Sequence, residues 1–274
     1  MSGAEVIRVS SGWLALREPA DAEARACDLA EALERALPAG GSRVIHDLGC
    51  GTGSMGRWLA PLLKGPQHWI LHDRDEDLLA RAAADVPGPA ADGAAVTVAA
   101  MRTDLARLDP DDLAGATLIT TSALLDMLTG EELDRLADVC AGAGCPILLT
   151  LSVVGRVELA PAEPLDRRVA AAFDAHQRRT TQRGRLLGPD AVEFAAETFR
   201  RLGAEVIVRP SPWRLGPGHS DLTAEWFTGW VGAACEQEAE LVGECEPYAR
   251  RRLEQARAGE LAVTVGHADL LVLW

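Results

Sequence analysis

The sequence predicts an α/β protein whose mostly parallel sheet has helices on both faces. A chain of 274 residues, 48% of them hydrophobic, can bury one full core. Strand-like and helix-like segments alternate over the first 153 residues, as they do in parallel sheets with right-handed crossovers. The strand segments are mostly continuous apolar runs, which is expected of strands that are covered on both faces.

The predicted elements follow in chain order. A helix is predicted over residues 19–37, because Pro19 suits a first turn and Leu29, Leu33 and Leu37 recur every four residues. Five strands with helices between them are predicted over 44–48, 69–72, 96–101, 117–121 and 146–153. A sixth strand is predicted over 204–209, and a last strand over 261–274, bent near Gly266 and His267.

The predicted organisation is one domain over residues 43–274, preceded by an N-terminal helical segment over residues 1–42. After the fifth strand the regular alternation stops. Helical segments at about 154–188 and 211–259 are interpreted as insertions that form a helical cap over one end of the sheet.

Charge and composition exclude several classes of partner. There are 41 Asp and Glu against 27 Lys and Arg, a net charge of -14, and such a surface repels a nucleic-acid backbone and an anionic bilayer. Residues 1–17 show no signal-peptide pattern, and no apolar run approaches a membrane span. The six cysteines match no zinc spacing. We therefore expect a cytoplasmic protein with no metal, no membrane and no nucleic acid as partner.

The most informative segment is a glycine-rich turn between the first strand and the next helix. Gly49, Gly51 and Gly53 follow Asp47 closely. Glycines at such a turn let the backbone approach a ligand, and the start of the helix offers unpaired N–H groups. The sequence therefore predicts a ligand site at this turn.

Two further acids follow the next two strands. Asp73 lies about 20 residues after Gly53, where a carboxylate can accept both hydroxyl groups of a ribose. Asp104 follows the third strand, where it can accept from an exocyclic adenine amine. Because the carboxyl ends of parallel strands meet at one edge of the sheet, the three acids predict an adenosine pocket.

Two nucleotide ligands compete for this pocket. Residues 51–56 satisfy the GxGxxG pattern of NAD(P) sites, which is weak when it stands alone. Asp47 discriminates between the ligands, since it would repel a pyrophosphate and attract the ammonium and sulfonium of S-adenosylmethionine. The turn also begins at Gly49, two residues earlier than a dinucleotide site requires.

Three stretches resemble the first three motifs of class I S-adenosylmethionine-dependent methyltransferases. They read HDLGCGTGSMGRWLA from His46, WILHDRDEDLLARA from Trp69 and RTDLARL from Arg102. The resemblance covers residues 43–153 well and the last two strands loosely. It implies a Rossmann-like fold with a seven-stranded, mostly parallel sheet whose last strand is antiparallel. It also implies S-adenosyl-L-methionine as the cofactor and methyl transfer as the activity.

The resemblance also assigns cofactor-binding residues by position. Asp47, Gly49, Gly51 and Gly53 would hold the methionine part, with Cys50 as the variable position of the turn. Asp73 would hold the ribose with Arg74 beside the adenine, Asp104 and Leu105 would hold the adenine, and Ser122 and Ala123 would lie under the cofactor. The family's Asn/Asp-Pro-Pro-Tyr/Phe motif is missing, because residues 120–125 read TTSALL. This argues against methylation of exocyclic base amines or glutamine amides, and the inserted helices are typical of the family's small-molecule enzymes.

Candidates for the chemistry must lie near the end of the fourth strand. His176 and His219 are candidate bases or substrate anchors, although each is also compatible with a surface or capping position. Asp126 is a candidate substrate contact that would otherwise cap its turn. Arg17 would clamp a carboxylate of cofactor or substrate if the segment around Trp13 folds over the cleft, and Trp213 would form an apolar wall. His46 and His72 are interpreted as packed and hydrogen bonded, and His267 as a surface or turn residue.

Several alternatives stay open at this point. Arginines 167, 168, 178, 179, 183 and 185 would attract an anionic substrate, or form a solvated helix face. The predicted function is methyl transfer to a small organic molecule. Whether that molecule is anionic stays open at this point. The rivals are an NAD(P)-dependent oxidoreductase and a non-catalytic interaction protein with this fold. A homo-oligomer is a state that the sequence allows.

Overall fold

Strands and helices alternate along the chain as the sequence predicts, and the strands form a central sheet. The protein is described as a computed structural model that covers residues 9–274, so the first eight residues of the predicted N-terminal segment lie outside the described part. The strands are β1 (Arg43–Leu48), β2 (Gln67–Asp73), β3 (Val96–Arg102), β4 (Leu118–Ser122), β5 (Ile147–Ala160), β6 (Thr180–Thr181), β7 (Gly184–Arg185), β8 (Glu205–Pro210), β9 (Trp213–Leu215) and β10 (Ala262–Leu273).

Eight of these strands form the main sheet. Its order is β3-β2-β1-β4-β5-β10-β8, with β9 also paired to β10, while β6 and β7 form a separate small hairpin. Strands β1 to β5 pair in parallel, and β10 runs antiparallel to β5, β8 and β9. The prediction of seven strands was therefore wrong by one. Strand β9 has only three residues, which is too short for a periodic signal in the sequence.

The helices lie on both faces of the sheet and beyond one end of it. They are α1 (Ser11–Ala24), α2 (Cys27–Ala36), α3 (Ser54–Leu59), α4 (Glu76–Ala84), α5 (Gly130–Ala143), α6 (Asp166–Gln177), α7 (Ala191–Arg201), α8 (Ser220–Gln237) and α9 (Val242–Ala258). Helices α2, α3 and α4 pack on one face through residues such as Leu33, Leu59 and Leu79. Helices α5 and α7 cover the other face through residues such as Leu133 and Phe199.

A third apolar cluster lies among helices α1, α6, α8 and α9. Its buried members include Ala20, Val169, Phe227 and Tyr248. Strand β5 continues well past its predicted end at residue 153, and its outer half pairs with the start of β10. Strand β9 pairs with the same part of β10. These strand extensions therefore carry the helices of the third cluster.

The N-terminal helix differs from the prediction. One helix was predicted over residues 19–37, but the structure has α1 and α2 with a break at Arg25 and Ala26, and Pro19 lies inside α1. The backbone N–H of Ala26 donates to Oδ2 of Asp269 in β10 (2.8 Å) instead of continuing the helix. A long-range contact therefore overrides the local helical pattern and turns Arg25 towards the sheet.

Candidate functional site

The glycine turn adopts a backbone that only glycine takes readily. Gly49, Gly51 and Gly53 have φ values of 70°, 54° and 84°. The N–H groups of Gly49 and Cys50 donate to the carbonyl of His72 (2.8 and 2.9 Å), which ties the turn to the end of β2. The turn thus lies at the carboxyl edge of the parallel strands, as the sequence predicted.

Asp47 is buried at the end of β1 and is only partly satisfied. Thr120 Oγ1 donates to its Oδ1 (2.8 Å), while Oδ2 has no hydrogen-bond partner among the described residues. Burial raises the pKa of Asp47 to about 7, against the opposing effects of the Thr120 hydrogen bond and the Arg25 charge. An unpartnered buried acid at this position is suited to a cationic ligand group.

Asp73 lies beside the turn at the end of β2. Its Oδ2 accepts from the N–H of Gly51 (2.9 Å) and its Oδ1 accepts from the N–H of Asp75 (3.0 Å). Each carboxylate oxygen has a further lone pair for a ligand hydroxyl. Arg74, the next residue, is exposed.

The third predicted acid caps a short turn after β3. Asp104 Oδ1 accepts from the N–H of Ala106 (3.1 Å), and the Asp104 side chain is largely exposed. Leu105 is partly buried and lies near Gly49, as does Leu124. Leu105 and Leu124 thus form an apolar surface next to the turn, where a flat ring can pack.

Ser122 and Ala123 end strand β4 at the same edge. Ser122 Oγ accepts from Thr150 Oγ1 (3.0 Å) and from Nη2 of Arg25 (3.1 Å). Ala123 takes a positive φ of 52°, and its N–H donates to the carbonyl of Thr150 (2.9 Å). The fourth strand therefore brings a hydroxyl and a strained backbone to the site.

Arg25 is a site residue that sequence analysis missed. It is 2% exposed, its Nη2 also contacts Ser54 Oγ (3.3 Å), and its guanidinium lies over the ring of Trp58 at 5.3 Å. In the predicted helix Arg25 would lie on the same face as Leu29, Leu33 and Leu37, because these residues are spaced every four positions. An arginine on that apolar face is the signal that could have identified it.

Helix α1 covers the turn. A Cβ built on Gly51 would lie 3.1 Å from Cδ1 of Leu14, so the helix packs directly against the glycine backbone. Glu18 in α1 pairs with Arg57 in α3 through two hydrogen bonds of 2.7 and 2.6 Å, and Arg57 also donates to the carbonyl of Thr52 (2.7 Å). The N-terminal segment therefore folds over the cleft.

Arg17, in the same helix, is held beside two tryptophan rings. It donates to Asp21 through Nε and Nη2 (2.9 and 3.1 Å), and its guanidinium lies 4.9 Å from the ring of Trp213. Trp213 Nε1 donates to Asp21 as well (2.9 Å). Trp213 is buried and packs at an angle to Trp13, with ring centroids 6.3 Å apart.

Asp126 follows β4 in a single 3₁₀ turn over residues 125–127. Burial raises its pKa to about 6, while the positive charges of Arg17 and Arg179 act in the opposite direction. The hairpin that follows α6 packs along the same segment, since the N–H of Leu187 donates to the carbonyl of Leu128 (2.8 Å). The structure thus brings Asp126 under the influence of two arginines from different elements.

The two candidate histidines have different surroundings. His176 is partly buried at the end of α6, with Nε2 3.2 Å from Glu236 of α8 and Nδ1 3.5 Å from Nη1 of Arg179. Burial lowers its pKa, and Arg179 adds to that effect. His219 stands at the N-terminal end of α8 without a side-chain bond to that helix, so it does not cap it; its ring accepts from the N–H of Gly216 in its own loop (3.4 Å) and lies 3.7 Å from Glu23.

Three other histidines are buried. His46 and His72 are hydrogen bonded (2.9 Å), as their interpretation as packed residues required. His267, which was expected in a turn, instead lies buried within β10 with its ring 5.2 Å from that of Trp213. The bend predicted near Gly266 is a shift of register inside a continuous strand, so the turn interpretation was wrong.

Three of the six arginines of the arginine-rich segment are paired with acids. Arg168 bonds Glu238 and Glu244, Arg178 bonds Asp190, and Arg183 bonds Glu132. Over residues 9–274 there is no cluster of three or more potential metal ligands. No helix within that range is long and apolar enough to cross a membrane.

Comparisons with known proteins place the chain by its fold. Comparison with protein-family models and with curated proteins finds no match. Among solved structures, a cyclopropane synthase from Mycobacterium tuberculosis is similar with a TM-score of 0.52 at 13% identity, covering 96% of this chain and 94% of the synthase. A methyltransferase from Geobacter sulfurreducens, solved with S-adenosyl-L-homocysteine, has a TM-score of 0.46 at 16% identity, covering 98% and 99% of the two chains.

The strand order agrees with this likeness. A dinucleotide-binding sheet is parallel in the order 3-2-1-4-5-6, whereas here an antiparallel β10 is inserted between β5 and β8. The similarity to the synthase extends over nearly the whole of both chains. The protein therefore has the fold of the class I S-adenosylmethionine-dependent methyltransferases.

Proposed function

We propose that this protein transfers a methyl group from S-adenosyl-L-methionine to a small anionic organic molecule. The observation that carries the proposal is the pair of unsatisfied, oppositely charged groups beside the glycine turn. Asp47 Oδ2 and two guanidinium nitrogens of Arg25 are buried without hydrogen-bond partners among the described residues. A ligand that carries both an ammonium and a carboxylate would satisfy both groups.

The remaining surroundings of the turn fit the rest of this cofactor. In this proposal Asp73 accepts from the ribose hydroxyls, and Asp104, Leu105 and Arg74 surround the adenine. Ser122 and Ala123 end β4 at the same edge of the sheet and would lie next to the cofactor. When bound, S-adenosylmethionine supplies an electrophilic methyl group.

Helix α1 would exclude water from the transfer. Leu14 closes the side of the turn, and the Glu18–Arg57 pair holds the helix in place. Methyl transfer depends mainly on proximity and alignment, so an enclosed site with rigid walls is the main requirement. The indole of Trp213, fixed by its hydrogen bond to Asp21, supplies such a wall.

We assign to Asp126 the role of accepting a proton from the substrate. A carboxyl with a pKa of about 6 is mostly ionised near neutral pH and still basic enough to take a proton from an acceptor group as it reacts. Arg17 and Arg179 place positive charge around it, which favours an anionic substrate. His176, bonded between Glu236 and Arg179, would orient that arginine.

A ligand titration tests the cofactor part of this proposal. S-adenosylhomocysteine should raise the free energy of unfolding by RT ln(1 + [L]/Kd) and thereby raise the unfolding temperature. NAD⁺ should leave the unfolding temperature unchanged. Stabilisation by NAD⁺ alone would replace the proposal with the oxidoreductase alternative. Stabilisation by S-adenosylhomocysteine without methyl transfer to any metabolite extract would favour a non-catalytic protein.

The substrate part is tested with pairs of small carboxylic acids and their neutral amides as methyl acceptors, assayed by release of S-adenosylhomocysteine. Acids should be preferred, and Arg179→Gln should reduce that preference. Arg178→Gln is the matched control, because Arg178 is bonded to Asp190 on the surface. Equal use of acids and amides by the unaltered protein would contradict the anionic substrate.

A further inference from the structure

Arg25 is held between the α1–α2 break, helix α3 and strands β4 and β10. It lies in the break between α1 and α2, where its own N–H donates to the carbonyl of Asp21 (3.1 Å) and the next N–H donates to Asp269 of β10 (2.8 Å). Its side chain passes over Trp58 of α3 and ends between Ser54 and Ser122. The guanidinium is therefore fixed in place without any ligand.

Most of its hydrogen-bonding capacity is unused. Both hydrogen bonds of the guanidinium come from Nη2, and Nε and Nη1 are buried without partners among residues 9–274. A guanidinium has five N–H donors, so three of them, one on Nε and two on Nη1, are unsatisfied. Leaving charged donors buried in this way is costly, which indicates that a ligand completes the site.

The neighbouring acids do not complete it. Asp21 is bonded to Arg17 and Trp213, and Asp269 accepts from Ala26, Leu151 and Ser211. Asp47 is bonded to Thr120 and keeps one free oxygen. No described acid forms an ion pair with Arg25.

We propose that Arg25 binds the α-carboxylate of the cofactor's amino-acid group, with Asp47 binding the α-ammonium. This inference rests on the proposed function, because it concerns the same cofactor. A carboxylate suits the site better than a phosphate. A phosphate carries up to two negative charges and a carboxylate only one, so Asp47 would repel the phosphate more strongly. Arg25, rather than Arg17, is therefore the carboxylate clamp of the N-terminal segment, and Arg17 is left to the substrate side.

The test compares two ligands that differ only in the carboxylate. Affinities for S-adenosylhomocysteine and for its decarboxylated analogue, which keeps the amine, are measured by calorimetry. In Arg25→Met the affinity for S-adenosylhomocysteine should fall about 10- to 100-fold, as expected for loss of charged hydrogen bonds. The affinity for the decarboxylated analogue should stay within about twofold or improve, because that ligand never uses the arginine.

Arg43→Met is the matched control. Arg43 is also a buried arginine, but it lies at the opposite end of β1 and is paired with Glu34. This variant should change the affinities for both ligands equally. Each variant is titrated with both ligands. A loss of folded protein affects both titrations alike, so the ratio of the two ligand affinities stays unchanged.

The two proposals fail in different ways. If the unaltered protein binds neither ligand, the proposed function is wrong. If it binds S-adenosylhomocysteine and Arg25→Met lowers the affinity for both ligands by the same factor, or for neither, the role of Arg25 is wrong. Arg25→Lys should retain part of the preference for the carboxylated ligand, since it keeps the charge but not the fork of donors.

Discussion

At the scale of single residues, Asp47 links cofactor binding to pH. Its pKa is about 7 in the ligand-free protein, because it is buried with one oxygen unpaired. This value exceeds that of an unfolded chain, so the carboxyl stabilises the ligand-free fold most below about pH 4, and that contribution is lost as the pH rises through 7. An ammonium group placed beside it reverses the preference and favours the ionised form.

The affinity for S-adenosylhomocysteine should therefore fall as the pH is lowered below 7, by up to about tenfold per pH unit. Above 7 Asp47 is already ionised, so the affinity should be nearly constant. Calorimetry in buffers of different ionisation enthalpy should show proton release on binding near pH 6. Methylthioadenosine, which has no ammonium group, is the control, and the same pH slope for both ligands would contradict the role of Asp47.

The proposed ribose contact of Asp73 can be tested separately from the amino-acid end of the cofactor. Asp73→Ala should weaken binding of S-adenosylhomocysteine by about 1–3 kcal/mol, because the ligand hydroxyls and the N–H of Gly51 would lose their acceptor. Asp77→Ala is the control, since Asp77 is exposed in the first turn of α4. Unchanged affinity in Asp73→Ala, measured by calorimetry, would remove Asp73 from the site.

At the scale of secondary-structure elements, Asp269 joins three segments that approach the site. Its carboxylate accepts from Ala26 between α1 and α2, from Leu151 in β5 and from Ser211 before β9. Leu151 has a positive φ of 56°, which a hydrogen bond at this point helps to hold. One buried carboxylate thus fixes the entry to the cap and the break that places Arg25.

Asp269→Ala should lower the free energy of unfolding by about 3 kcal/mol or more, because three donors lose their acceptor. Ser211→Ala removes only one of the three bonds and should cost about 1 kcal/mol. Urea denaturation measures both values. A loss in Asp269→Ala no larger than that in Ser211→Ala would show that the three segments do not depend on this carboxylate.

The elements also show why part of the site could be predicted and part could not. The glycine turn, Asp47 and Asp73 are close in sequence to strand ends, and strand ends of a parallel sheet meet at one edge, so local patterns were sufficient to place them. Arg25 is placed by the contact between Ala26 and Asp269, which are far apart in sequence. A regular leucine spacing after Arg25 favoured a continuous helix and concealed the break.

The cap shows the same limit. The segment around Trp13 was considered as one that folds over the cleft, but a helix was predicted only from residue 19; the structure has α1 beginning at Ser11, and this helix packs on the glycine turn and into the cap cluster. His267 lies in a stretch where a glycine suggests a turn, but the strand continues through it with shifted register. Local composition predicts that the backbone is irregular there, and only the pairing with β5 and β9 decides that the side chain is buried.

At the scale of the whole molecule, α1 connects two cores. Ala20, Leu16 and Trp13 belong to the cap cluster, while Leu14 and Glu18 contact the glycine turn and α3. A ligand bound under α1 would restrain this helix and, through it, the cap. Cofactor binding and the shape of the substrate side of the site should therefore be coupled.

Hydrogen exchange tests this coupling. S-adenosylhomocysteine should slow amide exchange in the glycine turn, in α1 and in α8, whose Leu222 and Phe227 lie in the same cluster as Ala20. Exchange in α7 should not change, because this helix packs in the cluster on the far side of the sheet.

Glu18→Ala should keep the protection of the turn and reduce the protection of α1 and α8, because it removes the two hydrogen bonds to Arg57 and leaves the bond from Arg57 to the carbonyl of Thr52 in place. Arg201→Met is the control, since Arg201 pairs with Asp134 on the α5–α7 face. Protection confined to the turn in the unaltered protein would show that the cap responds independently of the cofactor. In that case substrate selection would reside in the cap alone, whereas protection that reaches α8 only when α1 is anchored makes this helix the route between the two binding events.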